Sequence, residues 1–225
     1  RAGETFIEIG PGPGAITRPL AEAAAALLAC ELDRDLAAAL RAESIPGVRV
    51  LEGDFLAISP ALLRAELDAA SPGASAVRVA GNLPYNVASP IMFRLVDLAR
   101  HGFPLTDATI MLQREVADRL LAAPGSREYG VLTVLIGHRA RVTRLLNLPP
   151  GAFRPAPKVQ STVVRLEFHG PVPPVVDERR LAAVVNGVFS RRRKTVANAL
   201  LADGGLTPAT ASEAVVRAAI DGTRR

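Results

Sequence analysis

The run Thr5-Phe6-Ile7-Glu8-Ile9 passes directly into Gly10-Pro11-Gly12-Pro13-Gly14 and then into a helical pattern through Ile16, Leu20 and Ala23. A buried strand, a glycine turn and a helix in that order restrict the fold sharply. Glycines let a ligand approach bare backbone, and the helix that follows turns its first N–H groups outward. The spacing is G-x-G-x-G, which departs from the dinucleotide fingerprint G-x-G-x-x-G, so a Rossmann dehydrogenase is the weaker reading.

Two further strands repeat the plan. Ala26-Leu27-Leu28-Ala29-Cys30 ends at Glu31-Leu32-Asp33, with Glu31 17 positions after Gly14, close to the roughly 20 expected of a carboxylate that accepts ribose hydroxyls. Val48-Arg49-Val50-Leu51-Glu52 ends at Gly53-Asp54-Phe55, where Asp54 suits an adenine amino group and Phe55 the ring. Each carboxylate alone could be a solvated strand end or a helix cap. As a set they match ligand binding at the carboxyl ends of strands in an open α/β sheet. Strand and helix alternate from residue 5 to about 123, followed by a helix across Val131 to His138. Ala140 to Leu148 and Gln160 to Phe168 read as an antiparallel pair at one sheet edge. The expectation is an α/β fold with seven strands, most of them parallel, and helices on both faces. The alanine-rich stretch from Ala21 to Ala26 reads as helix.

After the run Val77-Arg78-Val79-Ala80-Gly81 comes Asn82-Leu83-Pro84-Tyr85. An adenine N6 amine is a poor nucleophile because its lone pair is delocalised into the ring. If the Asn82 side-chain oxygen and the Leu83 carbonyl each accept one N–H, the nitrogen moves toward tetrahedral geometry and can attack. Pro84 helps aim the preceding carbonyl, and Tyr85 offers a stacking face. The bland alternative is a strand-to-helix turn, with Ser89-Pro90 as N-cap and first residue of the next helix.

Glu8-Ile9-Gly10-Pro11-Gly12, Glu31-Leu32-Asp33, Gly53-Asp54 and Asn82-Leu83-Pro84-Tyr85-Asn86 together resemble the successive motifs of S-adenosylmethionine-dependent rRNA adenine N6-dimethyltransferases. Met111 to Ala117, Tyr129 to Val134 and Pro149 to Val159 resemble the bacterial KsgA (RsmA) branch in particular. The resemblance implies a class I methyltransferase fold, Rossmann-like, with a small C-terminal helical domain. It implies dimethylation of two adjacent adenosines near the 3′ end of small-subunit (16S) rRNA, on that rRNA or the assembling 30S subunit. Carried over, Gly10, Gly12, Glu31, Asp54, Phe55 and Asn82 would contact S-adenosylmethionine. Asn82, Leu83, Pro84 and Tyr85 would hold the target base, and Phe153 would stack on its other face. Phe153 lies between Pro149-Pro150 and Pro155-Ala156-Pro157, whose stiffness suits a rim position. A large-subunit resistance methyltransferase, a DNA adenine methyltransferase and a non-catalytic RNA-binding assembly factor remain as alternatives.

The formal net charge is +5, and Lys158 and Lys194 are the only lysines, so arginine supplies most of the positive charge. Arginine's planar fork suits phosphate. Gly170-Pro171-Val172-Pro173-Pro174 reads as a linker that divides residues 1–170, the catalytic domain, from residues 171–225, a small helical RNA-binding domain. There a helix with Leu181, Val184, Val185 and Val188 on one face should break near Ser190-Arg191-Arg192-Arg193-Lys194, and a new one should start with Ser190 or a neighbour as cap. Four cations at a helix start oppose its dipole unless an anion binds, which marks Arg191, Arg192, Arg193 and Lys194 as RNA phosphate ligands. One cysteine, Cys30, favours a cytoplasmic setting. His101, His138 and His169 lack ligand spacing, so no metal is expected, nor a membrane, and the chain is expected to be a monomer. Relative to the family, the chain opens four residues before the first strand, without a segment over the cofactor, and Thr223-Arg224-Arg225 falls short of a final helix.

Overall fold

The computed structural model describes residues 4–154 and 156–201. Seven strands form one sheet: β1 (Thr5–Ile9), β2 (Ala26–Glu31), β3 (Val48–Glu52), β4 (Val77–Asn82), β5 (Leu105–Gln113), β6 (Ala140–Leu148) and β7 (Ser161–Phe168). Their spatial order is β3-β2-β1-β4-β5-β7-β6. β1 to β5 are mutually parallel, whereas β7 runs antiparallel to both β5 and β6. The chain order therefore reverses between β1 and β4, which opens a crevice at their carboxyl ends.

Among the described residues six helices connect the strands, α1 (Thr17–Ala23), α2 (Arg34–Ala42), α3 (Pro60–Ala70), α4 (Ala88–Arg100), α5 (Arg114–Leu120) and α6 (Val131–Gly137), and two follow β7, α7 (Glu178–Ser190) and α8 (Val196–Leu201). β2 is buried at all six residues because α1, α2 and α3 all pack against it. Alternation sorts its side chains. Leu28 and Cys30 join Ile7, Val79, Leu95 and Ile110 in one large core, while Leu27 and Ala29 are buried outside that cluster. Burial pushes the Cys30 thiol up to about 12, so it stays protonated and unreactive at neutral pH. At the opposite end of the sheet from the crevice, Arg78 and Arg165 both grip the buried Asp107 carboxylate, tying β4, β5 and β7 together.

Three boundaries differ from the sequence reading. Helix α1 stops at Ala23, and Ala26 already belongs to β2. The Ala25 amide donates to the Glu4 carbonyl and Leu27 to the Gly47 carbonyl, so sheet pairing overrides alanine's helix propensity. Helix α4 starts before Ser89-Pro90, with Val87 as its N-cap and no side-chain cap bond. The Pro84–Val87 turn leads directly into it, and Pro90 is tolerated in a first turn whose N–H groups lack helical partners. Ser190 closes α7 instead of opening a new helix: its hydroxyl donates back to the Gly187 carbonyl, and Thr195 caps α8 through Asn198 N–H.

Candidate active site

The carboxyl ends of β1, β2 and β4 and the loop after β3 enclose a cavity of about 500 Å³, whose lining includes Gly10, Glu31, Asp33, Asp54, Phe55 and Pro84. Positive φ angles of 68° at Gly10 and 56° at Gly12 bend the chain sharply away from β1. A Cβ added at Gly10 would meet no protein atom within 4 Å, so space for a ligand lies open before the backbone. Glu31 is only 6% exposed, and its carboxylate is fixed by two amides. Gly12 N–H donates to Oε2 and Asp33 N–H to Oε1, each at 2.9 Å. Each oxygen retains a lone pair for a hydroxyl. Gly12 itself is absent from the cavity lining; its amide serves Glu31. Asp33 also caps α2, accepting from Asp35 and Leu36. Asp54 is exposed, and its Oδ1 accepts the Leu56 amide, which orients the side chain at the cavity mouth. Phe55, 5% exposed, forms the apolar floor. A lining of three carboxylates with Phe55, Val87 and Ile91 fits a group with a diol, amines and a flat ring, and it favours one that carries positive charge.

A second cavity of about 310 Å³ is lined by Asn82, Leu83, Pro84, Tyr85, Met111, Phe153 and Pro157. Pro84 belongs to both linings, so the two spaces lie against the same turn. Asn82, expected to serve both, lines only the smaller one, and its side chain is exposed at the end of β4. Leu83 is 1% exposed and belongs to the core. Its side chain anchors the turn while its amide donates to the Met111 carbonyl at 3.3 Å. Removing that side chain should cost about 2–5 kcal/mol. The half-buried Phe153 follows a 3₁₀ turn, Pro150–Ala152, that brings it to the rim opposite the Asn82–Tyr85 segment. Pro155, the loop's other stiffener, lies outside the described residues.

Sequence reasoning missed several contributors. The Tyr85 hydroxyl lies 3.1 Å from Ser161 Oγ, which pins the ring to β7. No local pattern links residues so far apart in sequence. Gly81 is buried, and a Cβ there would sit 2.9 Å from the Ile9 carbonyl oxygen, so only glycine lets β4 deliver Asn82 so close to the end of β1. Glu8 lies two residues before the glycine turn, 1% exposed; burial raises its pKa, while the nearby Thr17 hydroxyl partly opposes this.

The basic cluster is divided in its roles. Arg191 is the C-cap of α7 and donates to the Ala199 carbonyl, and Arg192 donates to the carbonyls of Arg127 and Tyr129 at 2.6 and 2.9 Å. Arg193 and Lys194 are exposed. The four cations follow the C-terminus of one helix and do not open the next. Arg191 and Arg192 thus lie at the favourable end of α7, while Arg193 and Lys194 directly precede the Thr195 cap of α8. The second unit is described only as far as Leu201.

The ribosomal RNA adenine dimethylase family model matches residues 1–220. Ribosomal RNA small subunit methyltransferase A of Xanthomonas axonopodis pv. citri is 45% identical over 205 residues, covering 90% of this chain and 74% of its own length. The protein of the same name from Myxococcus xanthus is 42% identical across 100% of this chain and 76% of its own. Among solved structures, a dimethyladenosine transferase from Plasmodium falciparum superposes with a TM-score of 0.71 at 24% identity, covering 97% of this chain and 80% of that one. The 23S rRNA methyltransferase ErmE does so with a TM-score of 0.64 at 25% identity, covering 96% and 87%.

Proposed function

This chain belongs to the ribosomal RNA adenine dimethylase family, and from that premise we propose that it dimethylates N6 of two adjacent adenosines near the 3′ end of small-subunit rRNA, using S-adenosylmethionine. The observation that supports this reading is that two cavities border Pro84, one suited to the donor and one to the base. Bound in the larger cavity, S-adenosylmethionine supplies an electrophilic methyl on a sulfonium. Glu31 accepts the ribose hydroxyls, Asp54 the adenine amino group, and Phe55 packs on the ring. In the smaller cavity Tyr85 and Phe153 hold the target base between their faces. Asn82 and the Leu83 carbonyl accept the N6 hydrogens and free the lone pair, which is positioning and electrostatic catalysis without a covalent enzyme intermediate. Tyr85 is kept at a fixed angle by Ser161, so little ordering remains to be done when the base arrives. Arg193 and Lys194 contact RNA phosphates outside the site. The chain acts as a monomer, without a metal, on the assembling subunit; among the described residues no helix is long and apolar enough to cross a membrane.

Mass mapping of methylated adenosines after incubation of under-methylated small and large subunits with the protein and labelled S-adenosylmethionine tests this. Dimethylation of two neighbouring small-subunit adenosines is expected. Label on large-subunit adenosine alone would assign the chain to the resistance type, and binding without transfer to an assembly role.

A further inference from the structure

A cleft of about 740 Å³ holds none of the residues assigned above to the cofactor or the target base. Ser89 and Phe93 of α4 line it, whereas Val87 and Ile91, two positions earlier in each case, line the donor cavity. Two residues on a helix are about 200° apart. The cleft therefore opens on the opposite side of α4 from the donor cavity, bounded by α5, the 127–130 segment, the start of α6 and the end of α7.

Its walls are held in place. Arg192 bonds the carbonyls of Arg127 and Tyr129, and the Tyr129 ring lies 5.9 Å from that of Phe189 at 57°. Gly130 N–H donates to Thr133 Oγ1 at 3.2 Å, and that hydroxyl donates to the Arg119 carbonyl at 2.5 Å. Inside this frame the chemistry is mixed. Phe93 is 36% exposed, a large aromatic left open to solvent on a helix otherwise rich in buried residues. Arg119 is paired with Glu115, but the Arg127 side chain forms no ion pair among the described residues, and Arg193 and Lys194 follow directly on Arg192. Glu128 adds an acceptor at the same edge.

An acidic peptide would meet two carboxylates here, and an apolar helix would bury guanidinium groups without partners. A single unpaired nucleotide meets neither cost. Its base can stack on an exposed ring, its phosphate can take guanidinium donors, and an exocyclic amine can reach a carboxylate. We infer that this cleft receives one unpaired nucleotide of the RNA substrate, separate from the target base, with Phe93 as its stacking platform and Arg127, braced through its carbonyl by Arg192, as its phosphate ligand. The volume, more than twice that of the target-base cavity, suits a whole nucleotide rather than a base alone. This rests on the rRNA reading above. It further implies that substrate grip depends on the contact between α7 and the catalytic unit, because Phe189 and Arg192 come from one side and Phe93 and Arg127 from the other.

The test uses full-length protein and a 3′-terminal fragment of under-methylated small-subunit rRNA with photoreactive 4-thiouridine at its single-stranded positions. Crosslinks are expected on peptides containing Phe93 or Phe189, besides those containing Tyr85 or Phe153. Phe93→Leu and Arg127→Gln should each weaken RNA binding, by about tenfold for the stacking residue, and raise KM for RNA. Their S-adenosylmethionine affinity and turnover at saturating RNA should stay at wild-type values. RNA affinity unchanged in both variants would overturn the inference while leaving the methyltransferase reading intact. A wild-type protein that binds no rRNA would overturn both. If Phe93→Leu also loses cofactor binding, and so has misfolded, Arg127→Gln decides the matter, because only its backbone carbonyl supports Arg192.

Discussion

Gly81→Ala probes the link between fold and chemistry at a residue that touches neither ligand cavity. The added Cβ would lie 2.9 Å from the Ile9 carbonyl oxygen and 3.0 Å from Leu83 Cδ2. Ordinary carbon contacts begin at about 3.3 Å to oxygen and about 3.5 Å to carbon, so the overlap is roughly 0.4 to 0.5 Å on two sides. β1 yields little, since Thr5–Ile9 is paired with β2 and residues 5–8 with β4 as well. Leu83 Cδ2 ends a flexible side chain that lines the smaller cavity and can turn aside, but the Ile9 carbonyl oxygen belongs to the backbone. The end of β4 must move instead, and Asn82 moves with it. Overpacking of this kind costs about 1–3 kcal/mol, offset by about 0.4–1 kcal/mol from the less flexible unfolded chain. A net loss of about 1–2 kcal/mol lowers Tm by about 2–8 °C at this chain length. A misplacement of about 1 Å can cost about a hundredfold in rate, so a shift of half that should lower single-turnover methyl transfer by about tenfold. Cofactor affinity should change by less than about threefold, since Gly81 does not line the donor cavity. Calorimetry and single-turnover assays on the same preparation read all three. Wild-type Tm and wild-type turnover would show that β4 relaxes freely and that close approach to β1 does not position Asn82.

Asn82→Ala should lower turnover by about 10²–10³-fold, the usual loss for an electrostatic contact made mainly in the transition state, with little change in S-adenosylmethionine affinity. Equal losses in both would make Asn82 chiefly a cofactor ligand. Phe153→Ala should reduce kcat/KM for rRNA by the worth of one stacked base, about 1–3 kcal/mol, and leave cofactor titrations unaltered; an unchanged kcat/KM would remove Phe153 from the base site. Glu8→Gln addresses a buried carboxyl whose pKa is raised in the folded state from an ordinary value of 4.5. The folded protein then holds its proton more tightly than the unfolded chain, so stability falls as pH rises from 4.5 through the folded-state pKa. The variant should melt higher than wild type at neutral pH without cofactor, with the gap closing below that window; a gap independent of pH would refute the assignment. Reversing Arg193 and Lys194 to Glu should weaken rRNA binding and reduce its log–log salt slope by about 0.7–0.9 per lost phosphate contact, whereas an unaltered slope would leave both cations as solvated surface.

Features carried by local spacing are legible in the sequence. Short apolar runs separated by helical patterns, the glycine turn after Ile9 and carboxylates at successive strand ends point to a mostly parallel sheet with a ligand at its carboxyl ends, and both cavities lie there. The break after α7 is legible too, because continuing its apolar stripe would bury Arg192. Element ends are harder to read. Alanine-rich residues 21–26 and the Ser89-Pro90 pair carry helix signals that sheet pairing and the preceding turn overrule. The four-cation run reads as the start of one helix, whereas it bridges the end of α7 and the Thr195 cap of α8, so only its first members gain from the α7 dipole.

By itself, then, the sequence determined the strand and helix periods, the bare backbone at Gly10 and the kinds of side chain offered to a ligand, since each follows from residues within a few positions of one another. Only the tertiary structure decided that Gly81 must be small because Ile9 lies against it, that Tyr85 is braced by Ser161, and that Arg192 is committed to Tyr129 and Arg127. It also decided that Pro84 borders two cavities. Those relations join residues far apart in the chain, and they exist only once hydrophobic burial has brought the strands together.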